Sequence, residues 1–443
     1  MASTYLTRSI SSTGDRRKWT WSGWLKRTNI GSNYIFASND GANQYAMLAF
    51  TSDQLRYYDY SNASSYISQL KTNRVFRDTN SWYHIVVTYD SAQGTDSNRI
   101  KFYVNGVQET SFAISNYPSQ NNDSYMNFTG HPHYLGRESG TSELFDGIMS
   151  HVHFCDGYAY SPSDFGETDS VTGEWKIKTD PSVSYGTNGY FMFKDNASLS
   201  DQSGQGNNFT LTAGTLTKTE DCPSNVFAVC DNLTNTNSAL TFSHGNNTMT
   251  NSGQWLGALS TLPMFKGKFY WEFKCTGNFM TGVSQLNSKA VQTDNLSNAN
   301  NGYSSKWAYG WEMINGGNKS NNNNSSTSYG SSYSSSDIGM VAFDADVGAI
   351  WFGKNGTWQA SATQTEIENG TTTNAAWTGL TNASGYVASF STENSTMNLN
   401  FGNGYFGTTA VSSAGNNASG NGIFEYDVPA GFTALCTKGI NSF

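Results

Sequence analysis

Lys266-Gly-Lys-Phe-Tyr-Trp-Glu-Phe-Lys274 is the stretch of sequence that most clearly decides the fold. Its residues alternate, so an extended chain places three aromatic side chains on one face: Phe269, Trp271 and Phe273. The more polar side chains, Glu272 among them, then point to the opposite face. We therefore predict a β-strand with its aromatic face in a hydrophobic core.

Short alternating runs of this kind recur from end to end of the chain, bounded by Gly, Asn, Asp or Ser. Trp82–Asp90 alternates in the same way, and Arg99–Val107 runs into an Asn-Gly dipeptide at 105–106 that is typical of a type I′ turn. A second Asn-Gly turn is predicted at 355–356. Few segments carry apolar residues at helical spacing. The sequence therefore predicts a nearly all-β protein.

Length and composition favour two β-sandwich domains. The chain has 443 residues, of which 14% are aromatic and 13% are charged, and it is about twice as long as one sandwich requires. A disordered chain would lack the aromatic residues, and a helical bundle would need more Glu, Lys, Leu and Ala. We predict domains at 1–165 and 221–443, with a closing hairpin and linker at 166–220 and long polar loops.

Charge and hydropathy exclude two classes of partner. The net charge is -9 and the pI is near 5.1, and a negative surface repels the phosphates of a nucleic acid. No stretch approaches the length of apolar sequence that a membrane span needs. Met1–Ile10 lacks the apolar core of a secretory signal, so export by that route is not expected. The five cysteines are widely spaced, and we interpret them as reduced thiols.

Motifs in the first half resemble those of laminin-G-like modules in the concanavalin A-like jelly-roll superfamily. The motifs are Trp19–Lys26, Trp82–Asp90, Lys101–Gly106, and Phe145-Asp-Gly147 with Val152-His-Phe154. Their order and spacing match the modules well. The resemblance implies a jelly-roll sandwich that binds glycans or proteins and carries no catalysis in most cases.

The second half resembles a SPRY module, a β-sandwich that mostly serves as a protein-binding platform. The matching stretches are Gly267–Glu272, Asp337–Asp346, Ile350–Phe352, Lys354–Gly356 and Asn400–Gly402. The tandem, with Asp201–Phe209 as junction and Pro429–Cys436 as ending, is similar to virion structural proteins of marine tailed bacteriophages.

The phage resemblance implies a non-enzymatic protein of the virion surface. We expect a tail fibre or receptor-binding adhesin that contacts host surface glycans, with a capsid decoration or head fibre on the major capsid protein as the alternative. The expected partners are other virion proteins, a host glycan and further copies of the chain, as in a trimer. Folding is expected in the bacterial cytoplasm before lysis, and the final location is the virion surface.

Catalysis by a carboxylate pair is the enzymatic alternative, since some jelly-roll proteins hydrolyse glucans. Retaining hydrolysis needs two carboxyl groups about 5 Å apart, as alternate residues of a strand provide. The tight acidic alternation within a strand pattern is Asp344-Ala-Asp346. It lies at a predicted hairpin turn, so we interpret the two side chains as solvated turn carboxylates and expect no enzyme activity.

Candidate metal ligands fall into two groups. His131-Pro-His133 and His151-Val-His153 each put two imidazoles on one face of an extended chain, a spacing that metal ions accept. We keep His131 and His133 as candidates, with half-buried structural histidines as the alternative. Laminin-G-like modules sometimes hold calcium, and the resemblance suggests four aspartates near predicted strand ends: Asp90, Asp96, Asp146 and Asp156. Ordinary surface aspartates, and thus no cofactor, remain the alternative.

Saccharide binding requires aromatic faces for the apolar side of the sugar and polar side chains for its hydroxyls. Two runs provide both. The first comprises Tyr57, Tyr58 and Tyr60 beside Asp59, and the second comprises Trp307, Tyr309 and Trp311 beside an Asn-rich loop. Any single aromatic is more often buried in a sandwich core. In the first run consecutive tyrosines point to opposite faces, so we expect one of them to be exposed.

Overall fold

The computed structural model of the chain shows two compact units, Met1–Lys218 and Thr219–Phe443, which we call the first and the second unit. Both are built almost entirely of β-strands, which confirms the predicted fold class. The structure describes residues 4–41, 44–61, 65–138, 144–195, 197–233, 239–253, 255–286, 308–312, 317–321, 325–381 and 383–443.

The strands of the first unit are short and separated by turns. They are β1 (Tyr5–Arg8), β2 (Lys18–Arg27), β3 (Asn33–Asn39), β4 (Tyr45–Thr51), β5 (Gln54–Ser61), β6 (Ser65–Val75), β7 (Trp82–Asp90), β8 (Ile100–Val104), β9 (Val107–Glu109), β10 (Phe112–Asn116), β11 (His133–Leu135), β12 (Gly147–Asp156), β13 (Gly166–Thr168), β14 (Trp175–Ile177), β15 (Tyr190–Met192) and β16 (Thr210–Ala213). Two 3-10 turns are formed by Asp96–Asn98 and Pro162–Asp164.

Two antiparallel sheets form a sandwich in the first unit. Over the described residues, the eight-stranded sheet has the order β10-β6-β5-β4-β3-β11-β1-β16 and the six-stranded sheet has the order β15-β12-β2-β7-β8-β9. Their inner faces share one hydrophobic core, to which β2 contributes Trp19 and Trp21 and β4 contributes Leu48 and Phe50. Residues 166–218, most of the segment 166–220 that the sequence predicts as closing hairpin and linker, belong to the first unit and supply β15 to one sheet and β16 to the other.

The outer face of the six-stranded sheet is also covered. Residues that follow β12 fold back over it, and Phe165 and Tyr185 pack there against Val86 and Cys155. The predicted type I′ turn between β8 and β9 is confirmed, because Asn105 and Gly106 have φ angles of 48° and 80°. The outer face of the eight-stranded sheet is different, since it is rich in tyrosine.

The second unit has the same construction with a different strand order. Its strands are β17 (Leu240–Ser243), β18 (Thr248–Asn251), β19 (Leu256–Met264), β20 (Lys268–Cys275), β21 (Asn278–Gln285), β22 (Ala308–Glu312), β23 (Asn318–Asn321), β24 (Ser325–Ser328), β25 (Gly339–Asp344), β26 (Ala349–Lys354), β27 (Thr357–Trp358), β28 (Tyr386–Glu393), β29 (Ser395–Asn400), β30 (Tyr405–Phe406), β31 (Thr409–Ala410) and β32 (Thr433–Ala434). Two short helices are α1 (Gln364–Glu368) and α2 (Thr437–Ile440).

In the described part of the second unit, one sheet has the order β17-β18-β29-β20-β25-β26-β27, with β32 parallel to β20, and the other has the order β19-β28-β21-β22-β23-β24. The alternating stretch at 266–274 forms most of β20, and its three aromatic residues Phe269, Trp271 and Phe273 enter the core between the sheets. The opposite face of β20 is buried as well, because Phe424 and Phe432 of the C-terminal segment cover Tyr270. Within the described residues, no helix is long and apolar enough to cross a membrane.

Glu272 anchors this C-terminal segment to β20. Its carboxylate accepts hydrogen bonds from the backbone N–H groups of Glu425 and Tyr426 (both 2.9 Å) and from the hydroxyl of Tyr270 (2.9 Å). Burial raises the pKa of Glu272 to about 7, although these donors act in the opposite direction. The second unit therefore takes up a proton at Glu272 at a higher pH than its unfolded chain does.

Acidification from about pH 8 to about pH 5 is expected to stabilise the second unit. The pKa of Glu272 falls from about 7 in the folded state to 4.5 in the unfolded chain, so the stabilisation reaches roughly 3 kcal/mol. Hydrogen exchange of β20 amides, corrected for the intrinsic pH dependence, measures it. In Glu272→Gln this pH dependence should disappear, and its persistence in that variant would contradict the assignment.

Candidate functional site

Alternation along β5 separates the predicted tyrosines. Tyr57 is completely buried and points into the core with Leu55, whereas Tyr58 and Tyr60 point to the outer side of the eight-stranded sheet. Tyr57 therefore has no ring face to offer a ligand. The sequence predicts one exposed tyrosine in this run, but Tyr58 is only 7% exposed and Tyr60 is half-buried.

Tyrosines from five neighbouring strands share the outer side of this sheet. We call this surface the tyrosine face, and it comprises Tyr34, Tyr45, Tyr58, Tyr60, Tyr66 and Tyr134. The strands follow one another in the sheet as β11-β3-β4-β5-β6. At about 4.8 Å per strand, the face is roughly 19 Å wide across the strands.

The rings of the tyrosine face support one another. Tyr45 stacks on Tyr60 with centroids 5.0 Å apart and planes inclined by 15°. Tyr66 meets Tyr60 (5.4 Å) and Tyr58 (5.8 Å) edge to face. Burial raises the pKa of Tyr45 to about 12, so its hydroxyl stays protonated at neutral pH and can both donate and accept. Tyr66 is 42% exposed and is the most open ring of the set.

Asp59 holds the strand beneath the face. Its buried carboxylate accepts hydrogen bonds from the hydroxyls of Tyr57 (2.8 Å), Ser68 (3.3 Å) and Ser124 (3.0 Å) and from the backbone N–H of Tyr125 (3.0 Å). Burial raises its pKa, and these donors partly counteract the effect. Because Asp59 points inward, it fixes the position of β5 and does not contact a ligand on the outer face.

The second predicted aromatic run is divided differently. Trp307 lies outside the described residues. Trp311 is fully buried and stacks on Phe352 (6.0 Å). Tyr309, two residues earlier on β22, packs against the same core and meets Trp377 edge to face (5.9 Å). Because residues two apart on a strand share a face, Tyr309 and Trp311 belong to the core side of their sheet.

The aspartates proposed for calcium serve local hydrogen bonds. Asp156 is buried and accepts from the backbone N–H groups of Asp15 (2.8 Å) and Asn188 (3.0 Å). Asp146 accepts from the hydroxyl of Thr28 (3.0 Å). Each carboxylate closes a connection between distant segments of the first unit. These contacts explain their positions at strand ends without a bound ion.

The other two aspartates lie at the end of β7 and in the 3-10 turn that follows it. Asp90 accepts from the Gln93 amide (2.9 Å) and forms an ion pair with Lys18 (3.5 Å). Asp96 begins a 3-10 turn and accepts from the backbone N–H of Ser97 (2.6 Å). In the part of the chain that the structure describes, no group of three or more His, Cys, Asp or Glu side chains is arranged to hold a metal ion.

The two candidate histidines are buried among aromatic rings. His131 stacks on Tyr125 with centroids 5.5 Å apart and planes inclined by 9°. His133 lies in the core between Phe36 (5.1 Å) and Phe154 (5.0 Å). Burial lowers the pKa of both imidazoles. A structural role in packing accounts for both residues.

The interpretation of Asp344 as a solvated carboxylate is wrong. Asp344 is fully buried, and its Oδ1 accepts from the backbone N–H groups of Asp346 (2.9 Å) and Val347 (3.1 Å). Lys268 lies 3.3 Å from its other oxygen. Asp346 is exposed and accepts from the backbone N–H of Gly267 (3.1 Å). The two carboxylates hold a turn, and one of them is shut off from any substrate.

Comparison with known families agrees with the geometry of the first unit. Residues 2–164 match the laminin-G-like family that is described as the concanavalin A-like lectin/glucanases superfamily. We call this part of the chain the laminin-G-like domain, after the family that it matches. The search of curated proteins found no match.

Solved structures that are similar to parts of this chain include a pentraxin and two SPRY domains. A native heptameric SAP-like pentraxin from Limulus polyphemus has 20% identity and a TM-score of 0.27, over 36% of this chain and 71% of that chain. The PSpry domain of TRIM65 has 12% identity and a TM-score of 0.28, over 39% and 91%. The SPRY domain of human HERC1 has 16% identity and a TM-score of 0.27, over 37% and 92%.

Most residues of the tyrosine face of the laminin-G-like domain are not predictable from a local sequence motif. Tyr34, Tyr45, Tyr66 and Tyr134 come from four separate strands, and no local motif joins them. Each is an outward-pointing residue of an alternating run, but the runs become neighbours only through pairing, as when Tyr45 lies opposite Tyr60. A prediction of strand order would have been needed to find the set.

Proposed function

We propose that this chain is a non-catalytic, glycan-binding surface protein of a tailed-phage virion, and that the tyrosine face is its binding surface. The tyrosine face carries the proposal. It offers half-buried rings that match the apolar side of sugar rings, and hydroxyls that exchange hydrogen bonds with sugar hydroxyls. The laminin-G-like domain belongs to a superfamily of lectins and glucanases, which supports a saccharide ligand.

A binding role is favoured over hydrolysis by the chemistry of the face. Its six defining side chains are phenols, and Glu138 is a single carboxylate close enough to act on Tyr45 and Tyr134. Asp59 is the acidic residue of β5, and its side chain points into the core. Hydrolysis of a glycosidic bond requires an acid and a second carboxylate that flank the bond. The tyrosine face therefore recognises a saccharide without cleaving it.

Many copies on one virion would convert weak contacts into useful avidity. In this proposal the chain is a tail fibre or receptor-binding adhesin, assembled as a homo-oligomer and folded in the host cytoplasm before lysis. The second unit attaches the chain to other virion proteins. This proposal requires neither a metal nor another cofactor, because aromatic rings and phenol hydroxyls suffice for recognition.

Copy number per purified virion tests the proposed location. Quantitative mass spectrometry against the major capsid protein measures it. A ratio equal to that of tail-fibre chains supports the adhesin. A ratio comparable with the capsid protein would replace it with a capsid decoration, and absence of the chain from purified virions would overturn the virion role.

Tyr60→Ala is expected to lower glycan affinity about tenfold, because it removes one stacked ring from the face. Binding of the full chain to immobilised bacterial and algal polysaccharides measures the loss. Tyr158→Ala is the matched control: Tyr158 is 40% exposed and stacks on Tyr160 at 5.6 Å and 14°, away from the face. Equal affinities of the two variants, with equal thermal stability, would refute the assignment of the site.

A further inference from the structure

We infer that the glycan bound at the tyrosine face is acidic, and that Arg56 and Lys71 bind its anionic group, a carboxylate or a sulfate. The inference rests on the proposed function and specifies its ligand. It is carried by two cations that lie side by side at one end of the tyrosine face. Neither has an acidic partner in the described residues.

The guanidinium of Arg56 is held in a fixed orientation. It lies 4.2 Å from the ring centroid of Tyr58 and 5.3 Å from that of Tyr66. Its Nη2 donates to the Tyr66 hydroxyl (2.9 Å). The Gln69 amide, turned so that its oxygen faces Arg56, accepts from Nε (3.1 Å) and Nη2 (2.9 Å).

These contacts occupy one edge of the guanidinium and leave the other edge available. The Nε–H and both Nη2–H groups have acceptors, whereas the two Nη1–H groups have none in the described part of the chain. A guanidinium held by stacking loses little freedom when it binds a ligand. The group is therefore preorganised for a carboxylate or sulfate oxygen, which are the acceptors that Arg binds most strongly.

Lys71 adds a second positive charge beside the first. It lies opposite Arg56 in the pairing of β5 with β6, on the same outer side of the sheet. Residues directly opposite one another on paired strands have Cβ atoms about 5 Å apart, and like charges there repel. The Lys71 side chain is half-buried and forms no hydrogen bond or ion pair in the described residues. An anion placed between the two cations would relieve this repulsion.

The two cations lie side by side on a chain that is acidic overall. The chain has 34 acidic and 25 basic residues, so carboxylates are plentiful, yet none forms an ion pair with Arg56 or Lys71 in the described residues. Arg74, three residues beyond Lys71, does have one, because its Nε lies 2.7 Å from Glu109. The pair at Arg56 and Lys71 is thus a local positive site on an acidic protein, and it adjoins the rings proposed to bind sugar.

The test uses acidic polysaccharides in matched pairs with the full chain. Each immobilised polysaccharide is presented beside its own neutral form, produced by carboxyl reduction of uronates or by desulfation. We expect at least tenfold weaker binding to the neutral form. Binding to the acidic form should weaken as the salt concentration rises from about 0.05 to about 0.5 M, because salt screens exposed charges. The two neutralisation chemistries distinguish a carboxylate ligand from a sulfate ligand.

Variants assign the effect to the two residues. Arg56→Gln and Lys71→Gln should each weaken binding to the acidic form about tenfold more than binding to the neutral form. Arg56→Lys, which keeps the charge, should recover part of the loss. Lys101→Gln is the matched control, because Lys101 is equally half-buried and unpaired in the described residues but lies on the six-stranded sheet. Thermal unfolding of each variant verifies the fold.

The outcomes separate this inference from the function on which it rests. Equal binding of acidic and neutral forms, or no effect of either substitution beyond that of Lys101→Gln, would overturn the inference and leave glycan binding intact. Failure to bind any polysaccharide of the panel would overturn glycan binding itself and, with it, this inference.

Discussion

Asp53→Asn is expected to lower the free energy of unfolding of the first unit by about 3–5 kcal/mol, because it leaves a buried arginine without its counter-charge. Arg27 is completely buried, and its Nη1 lies 3.1 Å from Oδ1 of Asp53. Burial lowers the pKa of Arg27, and Asp53 is the main influence that favours its charged form. Removing the carboxylate removes that support while the desolvated cation remains.

Asp53 also organises the turn in which it lies. Its Oδ2 accepts from Nε of Arg77 (2.9 Å), and its Oδ1 accepts from the backbone N–H of Gly31. Burial alone would raise the pKa of Asp53, but these donors and Arg27 hold it below its usual value. Asn keeps the shape and tolerates the positive φ of 67° at this position. The substitution thus removes the negative charge without adding backbone strain, so the measured loss of stability reports the charge alone.

Native-state hydrogen exchange provides the measurement, since it reports each unit separately. Amides of β2 should lose protection in Asp53→Asn, and amides of β20 in the second unit should keep theirs. Asp123→Asn is the control, because Asp123 and its partner Arg17 are 44% and 55% exposed, and such pairs contribute at most about 1 kcal/mol. A similar loss in both variants would show that the Arg27–Asp53 pair contributes no more than a surface pair.

Acidification from pH 7 to about pH 4.5 is expected to unfold the first unit selectively. Five of its histidines are buried: His84, His131, His133, His151 and His153. Burial lowers the pKa of His84 to about 3 and that of His151 to about 4, and it lowers the pKa of the other three as well. Their pKa in the unfolded chain is near 6.5.

The geometry around His84 shows why it resists protonation. The indole N–H of Trp175 donates to Nδ1 of His84 (2.9 Å), and the Ser22 hydroxyl lies 2.9 Å from Nε2. An indole nitrogen can only donate, so Nδ1 must carry a lone pair. A proton on Nδ1 would place two N–H groups against each other. His84 is further enclosed by the ring of Trp24, with centroids 4.8 Å apart.

The sign of the effect follows from proton binding. Below pH 6.5 the unfolded chain takes up protons at these histidines, whereas the folded unit does not until the pH approaches its lowered pKa values. The stability is therefore complete above pH 6.5 and is lost as the pH falls, by about 1.4 kcal/mol per pH unit for each histidine. The losses from the five histidines add, to at most roughly 7 kcal/mol per pH unit. Asp59, whose pKa is raised, opposes part of this loss.

Thermal unfolding between pH 7.5 and pH 4.5 measures the response. The unfolding temperature of the first unit should fall steeply as the pH is lowered. The unfolding temperature of the second unit should not fall with it, because protonation of Glu272 stabilises that unit. His133→Leu tests the origin, because both ring nitrogens of His133 lack a protein partner among the described residues and an apolar side chain suits the site. In this variant, the number of protons taken up on unfolding, which the pH dependence gives, should be smaller by one. A parallel shift of both transitions would contradict the prediction.

Much of the β-structure was predictable because its determinants are local. The strand at Lys268–Cys275 and the Asn-Gly turn at 105–106 follow from alternation and from the φ angles that Asn and Gly tolerate. The motifs of the laminin-G-like domain were equally visible, since each is a short stretch on one strand. Alternation could not say which face of β5 is the core, because both faces carry tyrosine.

By itself the sequence determined an acidic, nearly all-β chain with a laminin-G-like first part, since composition, period and turn residues act within a few positions. Tertiary structure alone decided that Tyr57 is buried and Tyr60 half-exposed, that Glu272 is covered, and that Arg56 stands beside Lys71. The physical reason is that a side chain's neighbours across a sheet come from distant segments. Burial, pKa and the presence of a partner depend on those neighbours, and strand pairing is what brings them together.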